Sequence, residues 1–410
     1  MVCNCPPVSR ISTVCGRGMN WLSAGCWFLA FALALPLAVL SIELIAGLMP
    51  ARRKEVIRTE ARITVLIPAH NEEKGITATI NALLAVAPYA TRVLVVADNC
   101  DDETASKARL AGAEVAVRDE PAVRGKGHAL AFGRDYLLSN GPPEIVVVLD
   151  ADCRLKPGSL ESLVHEAMSR MSPVQAVNLI EPDLSSRPMV QISSFAVIVK
   201  NLIRSRGMQR MGGAALLTGT GMAFPWAIFA CAPLASSSIV EDLRLGLAMT
   251  RTGRAPVLLA DAEVRSVAAD MRDALQQRTR WEHGFLDTVR RDALPTLLGG
   301  ISRVSWAEVL FGLHLLVPPL ALLMMLSITT AAVLASVALF SDLAGGPALF
   351  LGAMVLCATC LIIVAWLAFG RAYLSAGALL RAPLYLMWKL PIYLGFLKGG
   401  SSTWTRTPRR

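Results

Sequence analysis

An α/β domain flanked by membrane helices is the fold class this sequence predicts, and three observations predict it. Strand-like apolar runs alternate with helical patterns between residues 60 and 300. Two of those runs end in a carboxylate, most plainly Glu144-Ile-Val-Val-Val-Leu-Asp-Ala-Asp152, which closes on Asp150 and Asp152. Apolar stretches long enough to cross a bilayer precede and follow the region. Such alternation argues for an open, mostly parallel sheet with helices on both faces, and sheets of that kind bind ligands beyond the carboxyl ends of their strands.

The 410 residues open with a tail over residues 1–20, in which Met19 offers a second start beside Met1. A transmembrane helix over residues 21–50 follows, with Glu43 the only formal charge from Trp21 to Met49. The run is too long for a signal-peptide core, and no small-residue cleavage site ends it. After the domain, residues 301–340 hold an interfacial helix and then a transmembrane helix, with a break expected at Val317-Pro-Pro-Leu320. Residues 348–370 form another transmembrane helix. Residues 371–410 read as an interfacial amphipathic, basic region interrupted by Arg381, Pro383, Lys389 and Pro391, and a short fourth span over 373–397 is the alternative. Arg52, Arg53, Lys54 and Arg58 follow the first span, and further basic residues follow the last. The positive-inside rule then places the domain on the cytoplasmic side of an inner (cell) membrane.

Composition excludes some classes. With 54% hydrophobic residues and a mean hydropathy of +0.50, the chain is too apolar for an ordinary soluble enzyme. The net charge of +9 reads as attraction to anionic membrane lipids. No basic patch is interleaved with aromatics, so no nucleic acid partner is expected. The nine cysteines are scattered, and the single C-x-x-C pair, Cys357 and Cys360, lies inside a predicted span. Neither a zinc site nor a disulfide framework is indicated.

Within the domain, a strand from Arg62 stops at Pro68, and a helix beginning near Asn71 runs to about Ala87. A second strand covers residues 91–98, and Asp101, Asp102 and Glu103 load the first turn of the next helix. Residues 112–117 make a short third strand, and Arg124-Gly-Lys-Gly-His128 is a basic glycine turn leading into a helix. Residues 144–149 are the buried fourth strand. Residues 215–224 read as a strand and a tight turn around Gly219, Thr220 and Gly221, where backbone approaches a ligand. Glu241 and Asp242 open a helix, and a later helix over 273–290 carries Gln277, Arg280 and Trp281 at i, i+3 and i+4 on one face.

Asp98, Lys126, Asp150 and Asp152 gather at the ligand edge of such a sheet. Residues two apart on a strand share a face, so Asp150 and Asp152 suit one hard divalent cation and the phosphates it accompanies. Lys126 and its glycine amides suit phosphate oxygens. The Arg280 guanidinium suits a diphosphate, and the Trp281 indole suits the apolar side of a sugar ring. Each has a plainer use: Asp is common after strands, Glu241 and Asp242 offset a helix dipole, and Trp281 anchors an interfacial helix.

The set, in order, is His70-Asn-Glu-Glu73, Asp98 before Asp101-Asp-Glu-Thr104, Gly125-Lys-Gly127, Asp150-Ala-Asp152, Glu241-Asp242 and Gln277-x-x-Arg280-Trp281. It resembles the membrane-embedded family-2 glycosyltransferases, such as the cellulose, hyaluronan and poly-N-acetylglucosamine synthases and the ceramide glucosyltransferases, over residues 62–284. The resemblance implies a GT-A fold, a Rossmann-like mixed sheet, over residues 60–300, and transfer from a UDP-sugar with inversion. It implies that Asp98 binds uracil, that Asp150 contacts the ribose, and that Asp152 holds magnesium or manganese. Lys126, Gln277 and Arg280 would serve the donor diphosphate, and Asp242 would be the general base. Glu241, Gly219, Thr220, Gly221 and Trp281 would face the acceptor. A growing extracellular polysaccharide is the leading acceptor, with an export or assembly protein as a partner. A membrane lipid or polyprenyl-linked saccharide is the alternative, and a non-catalytic nucleotide-sugar-binding scaffold the distant one. The chain departs from many relatives at Ala97 and Val240.

Overall fold

A computed structural model describes residues 9–50, 60–88, 91–236, 238, 240–266 and 271–398, with backbone alone for 9–20 and 271–278. Met1, the Met19 side chain, the basic residues 52–58, the Gln277 side chain and the tail beyond 398 therefore lie outside the description. The chain forms two compact units. One contains residues up to Ile42 together with Val317–Val364, and the other contains Glu43–Leu316 and the chain from Ala365 onward.

The larger unit is built on an eight-stranded mixed sheet. Its strands are β1 (Ile63–Ala69), β2 (Thr91–Asp98), β3 (Glu114–Arg118), β4 (Ile145–Val148), β5 (Cys153–Leu155), β6 (Val174–Ile180), β7 (Met222–Pro225) and β8 (Val257–Ser266), in the order β3-β2-β1-β4-β7-β6-β8-β5. β1 pairs in parallel with β2 and β4, and β2 with β3. Beyond β4 the sense alternates: β7 runs antiparallel to β4 and β6, β8 parallel to β6, and β5 antiparallel to β8. The sheet is therefore parallel only in its first half, and the return strands were beyond a reading based on strand–helix alternation. The strand from Ile63 also continues through Pro68, whose ring fixes a φ that extended backbone accepts.

In this unit α1 (Ser9–Leu48) contributes its last turn, and α2 (Ile76–Leu84), α3 (Thr104–Leu110), α4 (Lys126–Ser139) and α5 (Ser159–Arg170) connect the strands. α2 begins and ends short of the expected bounds, because residues 71–75 turn before the helix starts. Then come α6 (Pro188–Ile198), a π-helical turn (Val199–Arg204), α7 (Ser205–Arg210), α8 (Trp226–Ala230) and α9 (Glu241–Arg251). α10 (Met271–Thr288), α11 (Leu294–Ser302) and α12 (Trp306–Leu315) follow. One sheet face buries Val65, Ile67, Val93, Val95, Ile145 and Val147 against α2 and α5; the other buries Leu66, Leu94, Val96, Val146 and Val148 against α4 and α8. That two-sided burial explains why β1, β2 and β4 read as continuous apolar runs rather than alternating ones.

The smaller unit contains the rest of α1, α13 (Leu320–Ala338) and most of α14 (Gly345–Ala365). The break at Val317-Pro-Pro-Leu320 falls between α12 and α13, as the prolines require. Trp27 stacks on Phe31 at 5.3 Å, and Phe350 packs 5.3 Å from Phe31. Among the described residues, three helical stretches, Trp21–Leu48, Leu320–Ala338 and Asp342–Gly370, are long and apolar enough to cross a membrane. The chain ends, in the larger unit, with α15 (Ala376–Leu379) and α16 (Ala382–Leu397). α16 turns Leu384, Met387, Leu390 and Leu394 outward and buries Lys389, the reverse of a helix with a polar outer face.

Candidate active site

The strand order reverses between β1 and β4, where the loops leaving their carboxyl ends must part and open a crevice. His70, Asp98 and Asp150 follow β1, end β2 and follow β4 respectively, so the topology alone brings them together. Two segments that look separate in the sequence prove to be one clasp. The Glu72 amide donates to Thr104 Oγ1 at 2.8 Å, the Glu73 amide to Asp102 Oδ2 at 3.2 Å, and the Asp101 amide to Asn71 Oδ1 at 2.8 Å. Asn71 and Asn99 adopt φ values of +55° and +50°, a region Asn tolerates better than most residues, and this turns the chain sharply at the ends of β1 and β2. His70 Nδ1 lies 2.7 Å from the Asp98 carbonyl oxygen.

Asp98 is buried and held by Arg118 Nη1 at 2.6 Å. The sequence reading missed Arg118, yet the register supplies the signal: Arg118 ends β3 directly beside Asp98 at the end of β2. Arg118 also reaches Glu120 and the Val123 carbonyl, each at 2.8 Å, and so shapes the loop that leads to Lys126.

Asp150 and Asp152 stand at the end of β4 with Cys153, their ligand atoms within 4.8 Å of one another. Two carboxylates, one of them exposed, fit a hard divalent ion bound partly through a ligand's oxygens. Burial and the two adjacent carboxylates push the Cys153 thiol far up. Lys126, at the start of α4, is ion-paired with Asp150 and donates to the Gly219 carbonyl at 2.7 Å. Burial alone would lower its pKa; Asp150, Glu241 and Asp242 outweigh that and hold it charged.

The segment 218–221 is fixed from beneath. Gln175, fully buried on β6, accepts from the Thr218 amide at 2.9 Å and donates to the Thr220 carbonyl at 2.8 Å. Thr220 Oγ1 accepts from the Asp150 amide at 3.0 Å, and the residue is almost inaccessible, so its side chain is a strut beneath the loop rather than a surface facing a ligand. Gly219 and Gly221 have φ of +82° and +65°. A Cβ on Gly219 would lie 3.1 Å from Lys126 Nζ and 3.3 Å from Asp242 Oδ2. The glycine thus leaves room that both the lysine and the carboxylate opening α9 border.

Glu241 and Asp242 begin α9, where unpaired amides favour negative charge; the Leu243 amide donates to Asp242 Oδ1 at 2.7 Å. Burial still dominates, raising Asp242 against the pull of Lys126. Burial and the Asp242 charge push Glu241 up to about 8. The carboxyls of these two sequence neighbours are therefore both raised, and Glu241 keeps its proton into the neutral range. α10 packs against them: a Cβ on Gly284 would fall 2.8 Å from Val240 Cγ1. Arg280 is half-buried on this helix and Trp281 is 48% exposed. α16 anchors α10 through a Glu282–Lys389 ion pair and through His283 Nε2, 2.8 Å from the Ile392 carbonyl.

Residues 61–284 match the model of a family described as glycosyltransferase like family 2. Uncharacterised glycosyltransferases of Mycobacterium bovis and Mycobacterium tuberculosis are 39% identical over 104 residues, 25% of this chain. That match spans only 43% of the length of these curated relatives. Among solved structures, a mannosyltransferase from Pyrobaculum calidifontis in complex with GDP-mannose and Mn2+ is similar at a TM-score of 0.47 and 18% identity, over 80% of this chain and 98% of that one. A glucosyl-3-phosphoglycerate synthase from Mycobacterium tuberculosis with Mn2+, UDP and phosphoglyceric acid is similar at 0.39 and 18%, over 58% and 84%. With a matched region that holds the whole sheet and every residue of the crevice described above, the chain belongs to the glycosyltransferase family 2.

Proposed function

We propose that the protein is an inverting, metal-dependent glycosyltransferase that moves a hexose or N-acetylhexosamine from a UDP-sugar to an acceptor carried at the membrane. One observation supports this most: Lys126 is ion-paired with Asp150, and its ammonium and the Asp242 carboxylate both border the space a methyl on Gly219 would fill, so the two carboxylate pairs meet at a single lysine. A donor diphosphate beside the first pair would then put its sugar within reach of the second.

Asp98 would take the base, Asp150 the ribose, and Lys126, Gln277 and Arg280 the phosphates. Asp152, with Asp150, would hold magnesium or manganese, and the bound ion would add positive charge where the leaving UDP gains negative charge. Asp242 would accept the proton of the acceptor hydroxyl. Its raised basicity makes it a stronger proton acceptor near neutral pH than an ordinary aspartate. One base opposite one leaving group gives a single in-line displacement, and hence inversion.

The apolar outer face of α16, pinned to α10 beside Trp281, favours an acceptor held in lipid: a membrane lipid or polyprenyl-linked saccharide. The half-exposed Trp281 indole supports the second reading, extension of an extracellular polysaccharide with an export partner. In both readings the spans sit in the inner membrane with the catalytic domain cytoplasmic.

The test uses membranes containing the full chain, Mg2+ or Mn2+ and radiolabelled UDP-sugars, with products split by solvent extraction. Label in the organic phase supports the lipid acceptor; high-mass, glycosidase-sensitive aqueous label supports the polymer. Turnover no greater than that of Asp152→Ala membranes, for every donor, overturns the enzymatic reading.

A further inference from the structure

Lys200 is a cation that the reaction above does not use. It stands in the π-helical turn Val199–Arg204, a distortion frequent at functional sites. Its side chain is open to solvent, and its Nζ lies 5.8 Å from the centre of the Phe285 ring. Phe285 is one turn beyond Trp281 on α10, so the two share a face, and it packs in one apolar cluster with Leu243, the residue after Asp242.

The charges that act most on Lys200 are Asp242, Arg204 and Glu282, whereas those on Lys126 are Asp150, Glu241 and Asp242. Asp242 is thus the one carboxylate that acts on both lysines, together with the metal-side carboxylates at Lys126 and with a charge of α10 at Lys200. The groups around Lys200 have partners of their own. Glu282 is ion-paired with Lys389, and Arg204 pairs with Glu43 at 2.6 Å. Lys200 makes no salt bridge among the described residues. Arg204, one turn on, is clamped by Glu43 and by His314 Nδ1 at 3.2 Å, which fixes the turn that presents Lys200.

Resting on the glycosyl-transfer reading above, we propose that Lys200 is an anion subsite beside the base, and that the acceptor carries a phosphate which this ammonium binds. A compact point charge suits a phosphate, whether on a lipid or on a water-soluble ester.

The experiment compares farnesyl phosphate with farnesol, and glycerol 3-phosphate with glycerol, as acceptors for the full chain in detergent. Wild type is set beside Lys200→Met and Lys200→Arg, and UDP binding is measured on the same samples. The expected result is that one phosphorylated acceptor is used at least tenfold better than its alcohol. Lys200→Met should abolish that preference by raising KM, with UDP affinity intact, and Lys200→Arg should restore part of it. Farnesyl phosphate as the preferred partner identifies a lipid source; glycerol 3-phosphate identifies a soluble one. No preference for phosphate in a protein that still binds UDP overturns the subsite alone. An equal loss with charged and neutral acceptors, together with a shifted acid limb, also overturns it, because Lys200 would then only balance Asp242. Failure of the wild type to bind UDP overturns the underlying reading as well.

Discussion

Two charge clusters in the larger unit are built to opposite ends. In the first, Glu43, Arg204 and His314 are almost wholly buried, with Arg204 Nε 2.6 Å from one Glu43 oxygen and His314 Nδ1 2.7 Å from the other. In the second, Asp150, Glu241 and Asp242 surround a single Lys126, and two of the three carboxyls are pushed up in pKa. The first cluster is closed and paired, so its charges hold elements together. The second carries an excess of negative charge that folding alone does not ask for, which is what a proton-accepting and cation-binding site requires. The contrast separates structural charge from chemical charge within one unit.

Four substitutions break or sharpen the contrast. Asp242→Asn should have the largest effect, lowering transfer by about 10²–10⁴-fold while UDP affinity stays within a few-fold. It should also raise the thermal midpoint, because the cost of burying the Asp242 charge is relieved. Equal loss of UDP binding and turnover would argue against the base. Arg204→Ala strikes the closed cluster and should cost about 3–5 kcal/mol of stability, since Glu43 is left buried without its main partner. Thermal unfolding in detergent measures this, and Glu43→Gln combined with Arg204→Met should recover much of it.

Gly221→Ala comes next, at about 1–3 kcal/mol, because φ is +65° and the new methyl would meet Val264 Cγ1 at 2.8 Å and Ala176 Cβ at 3.0 Å. Its midpoint should fall with little change in KM for UDP-sugar. The smallest effect concerns pH. Activity needs Asp242 ionised, so kcat/KM should fall on the acid side at a pH well above the ordinary carboxylate range. Glu241→Gln should leave that limb nearly in place, because Glu241, pushed up to about 8 by burial and the Asp242 charge, is already protonated where Asp242 titrates. Stability follows the opposite sense. A carboxyl whose pKa is raised in the folded state favours folding below its unfolded value, and that contribution is lost as pH rises through the folded one, about 8 for Glu241. The wild type should therefore lose stability from about pH 5 to pH 8 relative to Glu241→Gln.

The half of the site that can be read from the sequence is the half carried by strand ends. Asp98, Asp150 and Asp152 follow from apolar runs that stop in carboxylates, and the first span, the proline break and the start of α9 follow from equally local patterns. Arg118 and Gln175 were not found because each matters through a neighbour distant in sequence: one through parallel register, the other through the underside of a loop. Lys200 was missed for a further reason. A lysine in an apolar helical stretch carries no spacing that marks it, and only folding sets it beside Phe285 and Asp242. Thr220 shows the converse, a motif residue that folding turns inward.

The end of α1 also bears on what this long apolar helix is. Arg206 donates to the Met49 carbonyl at 2.9 Å, and Arg210 donates to the carbonyls of Ala46, Met49 and Pro50. Gly47 and Gly207 let backbone meet backbone, for a Cβ on either would collide with Ile203 O or Glu43 O. A helix that only tethered the enzyme could be exchanged for any other anchor of the same length. This one could not: a replacement lacking Glu43 would leave Arg204 without its buried carboxylate, and one lacking Gly47 would push the helix end off Ile203 and away from Arg206 and Arg210, so the last turn of α1 is a fitted component of the larger unit.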